Sequence, residues 1–398
     1  MAPASSAQNG RILAKVMMNR PGCRYEDGCR DEDGCITSIR CNGRVFHVEM
    51  SPFYLCDSPV IESRYRKFIA AVRDEDVLMA TEEDKVQDPE DVLDDFHAWI
   101  IAVFKPVFLE VAPDVPPSFD PAKIAVGDAR PLLSEYLFPE EHCCRLEAEN
   151  DKPFPIHARD AESPFIPALN AIHPELAQEL GQHVKFFDPS AIEVSFGRPE
   201  YALSHIPTRV LVELDDSGQK TVCFFKEFAR GYRLESELEA HLRVCKSTLR
   251  SEVRVIRLRG LVAVDDGQIA GLLLTYVDHR RENDGLVFQE SLLHTPIPLR
   301  QRWATQIQET VEQLHNAGIV WGDAKLDNVM IDKNNDAWLI DLGGGYTKGW
   351  VDKDMAGTKE GDLQGVAKIV ECLSNQEYEP LSDSDQDSSD IVPDGKYS

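Results

Sequence analysis

Residues 318–345 read GIVWGDAKLDNVMIDKNNDAWLIDLGGG. Two short apolar runs, 329–331 and 337–340, flank the polar turn Asp332-Lys333-Asn334-Asn335-Asp336. That pattern predicts a β-hairpin. A hairpin brings its ends together, so Asn328 at its start and Asp341 at its end are expected side by side. Two oxygen-bearing side chains held together suit a hard cation such as Mg²⁺. Asp323 and Lys325 lie just upstream, within the same loop.

The spacing Asp323-x-Lys325-x-x-Asn328, followed by Asp341-Leu342-Gly343, resembles the catalytic and metal-binding loops of protein kinases. Gly322 before the Asp is closer to the kinase-like phosphotransferases. The wording around it (GDAKLDNVMID, GGGYTKGW, EGDLQG) resembles a group of fungal kinase-like proteins. The resemblance implies an α+β, bilobal kinase-like fold with an abbreviated large lobe, preceded by an α+β N-terminal module. It also implies an order for what lies upstream. Five strands are expected near 191–196, 208–214, 221–228, 253–264 and 271–277.

Lys226 lies inside the third of these, TVCFFKEF. A Lys in an otherwise apolar strand is costly unless paired. The next segment, RLESELEAHLRV, has helical periodicity, with Leu238, His241/Leu242 and Cys245 on one face. Glu237 aligns with the partner that the resemblance implies, with Glu235 and Glu239 as alternatives. In GLLLTYVD, Leu274 is expected behind a nucleotide, with the backbone of Thr275 and Val277 on its adenine edge. Residues 299–317 form a strongly amphipathic helix through Trp303, Ile307, Val311 and Leu314, with Gly318 as its C-cap.

The roles implied are those of phosphoryl transfer, where positioning and charge neutralisation dominate. Asp323 would orient the attacking hydroxyl and Lys325 would neutralise the γ-phosphate. Asn328 and Asp341 would hold Mg²⁺. Lys226, fixed by Glu237, would hold the α- and β-phosphates of ATP. Asp362 would anchor the catalytic-loop backbone. The sequence also departs from the kinase pattern. Trp321 stands where kinases have His, and Gly322 where they have the Arg that reads a phosphorylated loop. Phe224 replaces a small residue against the adenine, which narrows or closes that pocket. A single glycine, Gly197, stands where a glycine-rich loop is expected. Gly343 to Gly345 read as a flexible loop, and no A-P-E motif follows. Two functions are therefore carried forward. One is an ATP- and Mg²⁺-dependent phosphotransferase acting on a hydroxyl of a protein or small molecule. The other is a pseudokinase that keeps the fold as a nucleotide-binding or scaffold module.

The domain reading is 1–40 disordered, 41–185 accessory α+β module, 186–277 small lobe, 278–376 abbreviated large lobe and 377–398 acidic tail. In the module, Phe46, Val48 and Met50 alternate as in a half-buried strand. Residues 91–104 read as a helix that Pro106 ends or kinks, and 114–121 and 151–167 read as linkers. Cys23, Cys29, Cys35 and Cys41 are evenly spaced, the wrong spacing for a zinc site, and are expected as reduced thiols. A net charge of −27 argues against a nucleic-acid partner. With no membrane-length apolar run and no secretory signal, the expected location is cytoplasm or nucleus.

Overall fold

A computed structural model describes residues 14–24, 30–73, 89–158, 169–203, 207–215, 217–228, 234–264, 267–279, 292 and 295–374. The fold is mixed α+β with several sheets. The chain divides into two compact units, one of residues 1–167 with 189–211 and one of 168–188 with 212–398. The acidic tail and the segment 25–29, which contains Cys29, lie outside the described residues. Among the described residues no helix is long and apolar enough to cross a membrane.

The first unit is built on a five-stranded sheet in the order β1-β2-β3-β4-β5. Its strands are β1 (Ala14–Arg24), β2 (Arg30–Cys41), β3 (Arg44–Met50), β4 (Glu141–Glu149) and β5 (Lys152–Ala158). The expectation of disorder up to residue 40 is therefore corrected over β1 and β2. The physical reason lies in β2, where Cys35, Thr37, Ile39 and Cys41 recur with period two and are all fully buried. Six-residue spacing is an even number, so it sets Cys35 and Cys41 on the same face of the strand. Both lie in the apolar core, and burial pushes the Cys41 thiol up to about 12 against the lowering influence of Arg44. The sheet is covered by α1 (Pro59–Val72) and α2 (Pro89–Val111). Helix α2 runs through Pro106, so of the two expectations, an end or a kink, the end is excluded, because Phe104, Val107 and Phe108 carry its buried face across that position. Of the expected linkers, the first leads into α3 (Pro121–Val126) and the second begins with β5, its residues 159–167 lying outside the described residues. A short helix α4 (Leu133–Leu137) comes between them.

The boundary expected at 185/186 is not where the units divide. The first two strands assigned to a small lobe are β7 (Glu193–Val194) and β8 (Arg209–Val212), which pair with each other. Segment 189–211 belongs with the first unit for identifiable reasons. Leu133 N–H donates to Ile192 O at 2.9 Å, Val194 N–H donates to Pro131 O at 2.8 Å, and Tyr136 Oη donates to Ala202 O at 2.6 Å.

The second unit contains β6 (Lys185–Phe187), β10 (Leu258–Ala263), β11 (Ile269–Thr275) and β9 (Thr221–Glu227), hydrogen-bonded in that order. Helix α5 (Pro174–Leu180) precedes them. Helix α6 (Leu234–Lys246) joins this layer through Leu238 and Leu242, in one apolar cluster with Leu258, Leu261, Leu272 and Leu274. A second cluster binds α7 (Ile297–Asn316), the hairpin β12 (Val329–Ile331)–β13 (Ala337–Leu339) and α8 (Lys359–Ser374). Its members include Trp303, Ile307, Val311 and Leu314 from α7, with Val366, Ile369 and Leu373 from α8. Both segments read as kinase lobes thus fall largely within this one unit.

Candidate functional site

The site begins where α7 stops. Gly318 has φ +76°, a conformation that favours glycine. Its N–H donates to His315 O at 3.1 Å, and Ile319 N–H donates to Leu314 O at 2.9 Å, the two bonds of a Schellman cap. Leu314 and Ile319 also meet in the core, which completes that motif. The chain leaves the helix into residues 319–328, and a single buried carboxylate holds this loop. Asp362, 1% exposed on α8, accepts from Trp321 N–H at 2.7 Å and Gly322 N–H at 2.8 Å, and bonds the His315 ring at 2.8 Å. Helix α8 approaches closely because Gly365 has no side chain. A Cβ there would come within 2.3 Å of Ala324 O.

Asp323 is nearly buried, and three side chains meet it. Asn328 Nδ2 donates to its Oδ2 at 3.1 Å and to its main-chain O at 2.9 Å. Lys325 Nζ lies 3.0 Å from the same Oδ2. Thr347 Oγ1 donates to Oδ1 at 3.1 Å while accepting from Lys325 Nζ at 3.0 Å. The carboxylate that would meet a substrate hydroxyl is thus already bonded to a hydroxyl of the protein. The hairpin forms as its sequence predicts, with Val329 opposite Leu339 and Asp332 Oδ1 accepting from Asn334 N–H and Asp336 N–H across the turn. Ile340 N–H donates to Asn328 O at 3.0 Å, which brings the start of the hairpin beside Asp341. Trp321, fully buried, does more than fill the place of a His. Its indole N–H donates to Ile340 O at 2.9 Å and ties the two loops together.

Lys226 joins this group from β9. Its ammonium lies 2.9 Å from Glu237 Oε1 and 2.8 Å from Asp341 Oδ1. Of the three acids on α6 considered as partners, Glu237 is the buried one, whereas Glu239 is exposed and lies near Arg243. Burial draws the Lys226 ammonium down, but Glu237 and Asp341 outweigh it, so its pKa stands above the usual lysine value. Burial likewise pushes the Glu237 carboxyl up, yet His241 and Lys226 together hold it below the usual carboxylate range. Asp341 adopts φ +58°, an uncommon conformation for a residue with a side chain. Such strain is held only where the surroundings over-determine it.

The glycines that follow supply part of that constraint, contrary to the reading of 343–345 as a flexible loop. A Cβ on Gly343, at φ +138°, would lie 2.9 Å from Glu237 Cα. A Cβ on Gly322 would meet Gly344 Cα at 2.7 Å. One on Gly345 would lie 3.2 Å from the Asp323 carboxylate. Each glycine sits against a different part of the site: α6, the loop backbone and Asp323. Thr347 and these glycines were not singled out as site residues from sequence, although three consecutive glycines directly after Asp341-Leu342 were a visible signal of close approach.

Leu274 is buried and pairs with Phe224 across β11 and β9. Thr275 N–H donates to Arg257 O at 2.9 Å, so only its carbonyl remains for the edge contact expected of it. Val277 is buried in the same apolar cluster. Among the described residues no cluster of His, Cys, Asp and Glu forms a ready metal site. Asp341 and Asn328 nevertheless fit Mg²⁺, which takes one or two protein oxygens and completes its shell with water and phosphate.

No family model matches the chain. It is 30% identical over 120 residues to the serine/threonine-protein kinase PKH3 of Eremothecium gossypii, an alignment that spans 26% of this chain and 16% of that protein. This likeness supports a kinase-like relationship and hints at phosphotransfer.

Proposed function

We propose that the second unit is a bilobal kinase-like module whose activity is the ATP- and Mg²⁺-dependent transfer of a phosphoryl group to a hydroxyl. The observation that carries this reading is the convergence of Lys226, Glu237 and Asp341 in one ion-paired group. Beside it stands the Asp323, Lys325 and Asn328 group on the adjoining loop. Asp341 and Asn328 would hold Mg²⁺, which when bound neutralises charge on the polyphosphate. Lys226, oriented by Glu237, would take the inner phosphates in exchange for part of its contact with Asp341. Asp323 would accept the proton of the incoming hydroxyl, and Lys325 beside it would offset the charge of the moving phosphoryl group. The base contacts expected of Leu274, Thr275 and Val277 would require Phe224, opposite Leu274, to leave room for a base.

The test is a comparison of wild type with Asp323→Ala in phosphoryl transfer and in thermal stabilisation by Mg²⁺ and ATP. The expected result is loss of turnover, by about 10²–10⁴-fold, with stabilisation retained. Unchanged turnover in Asp323→Ala would contradict the role given to it. A pseudokinase is the second reading, and it is favoured by one observation: Phe224 packs into the apolar cluster where a base would enter. Stabilisation by the metal–nucleotide pair without any turnover in wild type would select it.

A further inference from the structure

We infer that Phe224 closes the base end of this site, so that the donor is held by its metal and polyphosphate alone, with little discrimination of the base. This rests on the reading that a metal–polyphosphate binds at Lys226 and Asp341.

The argument starts from strand periodicity. Phe224 and Lys226 are two residues apart on β9 and share a face, while Cys223 and Phe225 on the opposite face are buried core. Across the pair, Lys226 faces Leu272 and Phe224 faces Leu274. Two strand residues span about 7 Å. The Cα of Phe224 therefore lies about 7 Å along the strand from that of Lys226, opposite Leu274 in the register. A base joined to polyphosphate through a ribose would have to enter there.

The space is taken. Phe224 packs against the cluster that holds Leu274 and Val277, with Met330, Trp338 and Ile340 also against it. These side chains come from β9, β11, β12, β13 and the segment entering Asp341, and the half-buried Phe224 ring adds to that apolar layer on the face it shares with Lys226. A phenyl ring has about the footprint of the six-membered half of a purine, and interiors packed at crystal density do not hold both. The polar end has the opposite character. Lys226, Asp341, Asn328 and Lys325 are all charged or oxygen-bearing, and Lys226 and Lys325 are only partly buried. Such a site would recognise phosphate and metal through charge, with the Phe224 side chain taking up space that a base would need.

The experiment measures binding of ATP and of inorganic tripolyphosphate, each with excess Mg²⁺, to the full chain by calorimetry. Wild type, Phe224→Ala and Lys226→Met are compared, with Phe224→Val as the milder opening should the alanine variant fold poorly. Wild type is expected to bind the two ligands within about threefold of each other, because the base adds almost no buried surface. Opening Phe224 is expected to tighten ATP by about tenfold or more while leaving tripolyphosphate unchanged. Lys226→Met should weaken both. A wild type that already binds ATP tenfold tighter than tripolyphosphate would overturn the inference, as would an opened variant with no gain for ATP. Binding of neither ligand to wild type, with Lys226→Met no different, is a separate outcome. It would remove the underlying metal–polyphosphate reading and this inference with it.

Discussion

Substitution of Gly343 by alanine separates packing of the loop after Asp341 from simple backbone strain. At Gly343 the added methyl carbon would lie 2.9 Å from Glu237 Cα and 3.0 Å from Glu237 Cβ. Backbone on α6 cannot swing aside as a flexible side-chain end would. The residue also holds φ +138°, where an L side chain is strained. Left-handed strain costs about 1–2 kcal/mol and overpacking about 1–3 kcal/mol, so Gly343→Ala should cost roughly 2–5 kcal/mol. Gly349 is the internal control, since its φ is +89° and a Cβ there meets nothing within 4 Å. Gly349→Ala should therefore cost only the strain, about 1–2 kcal/mol. Urea unfolding of both variants, followed by a probe in the second unit, gives the difference directly if the m-value is unchanged. The clash also bears on Lys226, because relief requires the loop after Asp341 and α6 to part. Hydrogen exchange of α6 amides should accelerate in Gly343→Ala and stay near wild type in Gly349→Ala. Equal costs for the two variants, with α6 equally protected, would refute the claim that Gly343 clamps Asp341 against Glu237.

The ionisable pair makes its own prediction about pH. The Lys226 pKa is raised from 10.5, so its contribution is complete below that value and is lost as pH rises through the folded-state pKa. The Glu237 pKa is lowered from 4.5, so its contribution is complete above that value and is lost as pH falls through the folded-state pKa. Stability due to the pair should plateau between about pH 5 and pH 10, and Lys226→Met, costing about 1–3 kcal/mol, should shift the acid limb of the stability curve toward higher pH. Asp362→Asn should destabilise by roughly 2–4 kcal/mol, since its buried carboxylate accepts from two loop N–H groups; unfolding midpoints measure this, and Asp352→Asn at the surface is the control. Thiol labelling followed by peptide mapping should find Cys56, which is exposed, modified quickly, and Cys35 and Cys41 modified only as the first unit unfolds; rapid labelling of Cys41 would contradict its core position.

The site was more legible than the unit that precedes it, and the difference is physical. Asp323, Lys325, Asn328 and Asp341 lie within nineteen consecutive residues, and a hairpin whose turn is written in Asp and Asn fixes their proximity. Lys226 and Glu237 were readable because a charge inside an apolar strand demands a partner, and the next helix offered one. Choosing among Glu235, Glu237 and Glu239 needed the burial of one face of α6. In the first unit, β2 was hidden because its period-two pattern is carried partly by cysteines and a threonine. Cys35 and Cys41 drew attention as thiols, yet they serve the strand as small hydrophobes. The length of α2 was hidden for another reason: tertiary burial on both sides of Pro106 outweighed the local cost of proline.

The glycines after Asp341 carry the same lesson further. Read alone, consecutive glycines suggest freedom, because the residue admits more backbone conformations than any other. What decides their role is what stands opposite, and Gly343, Gly344 and Gly345 face Glu237, Gly322 and Asp323. Small residues there shorten the distance between three elements until Lys226 reaches both Glu237 and Asp341, and Asp323 reaches Thr347. Larger residues at Gly343 or Gly322 would move those elements apart before they removed any charge. The polar residues set what the site can do, and the glycines set the distances at which they do it. Phe224 acts in the opposite direction, since it adds volume on the same strand face as Lys226. On the proposed reading, tight glycine packing around the charged end, together with a large aromatic at the apolar end, would suit phosphate and metal more than a base.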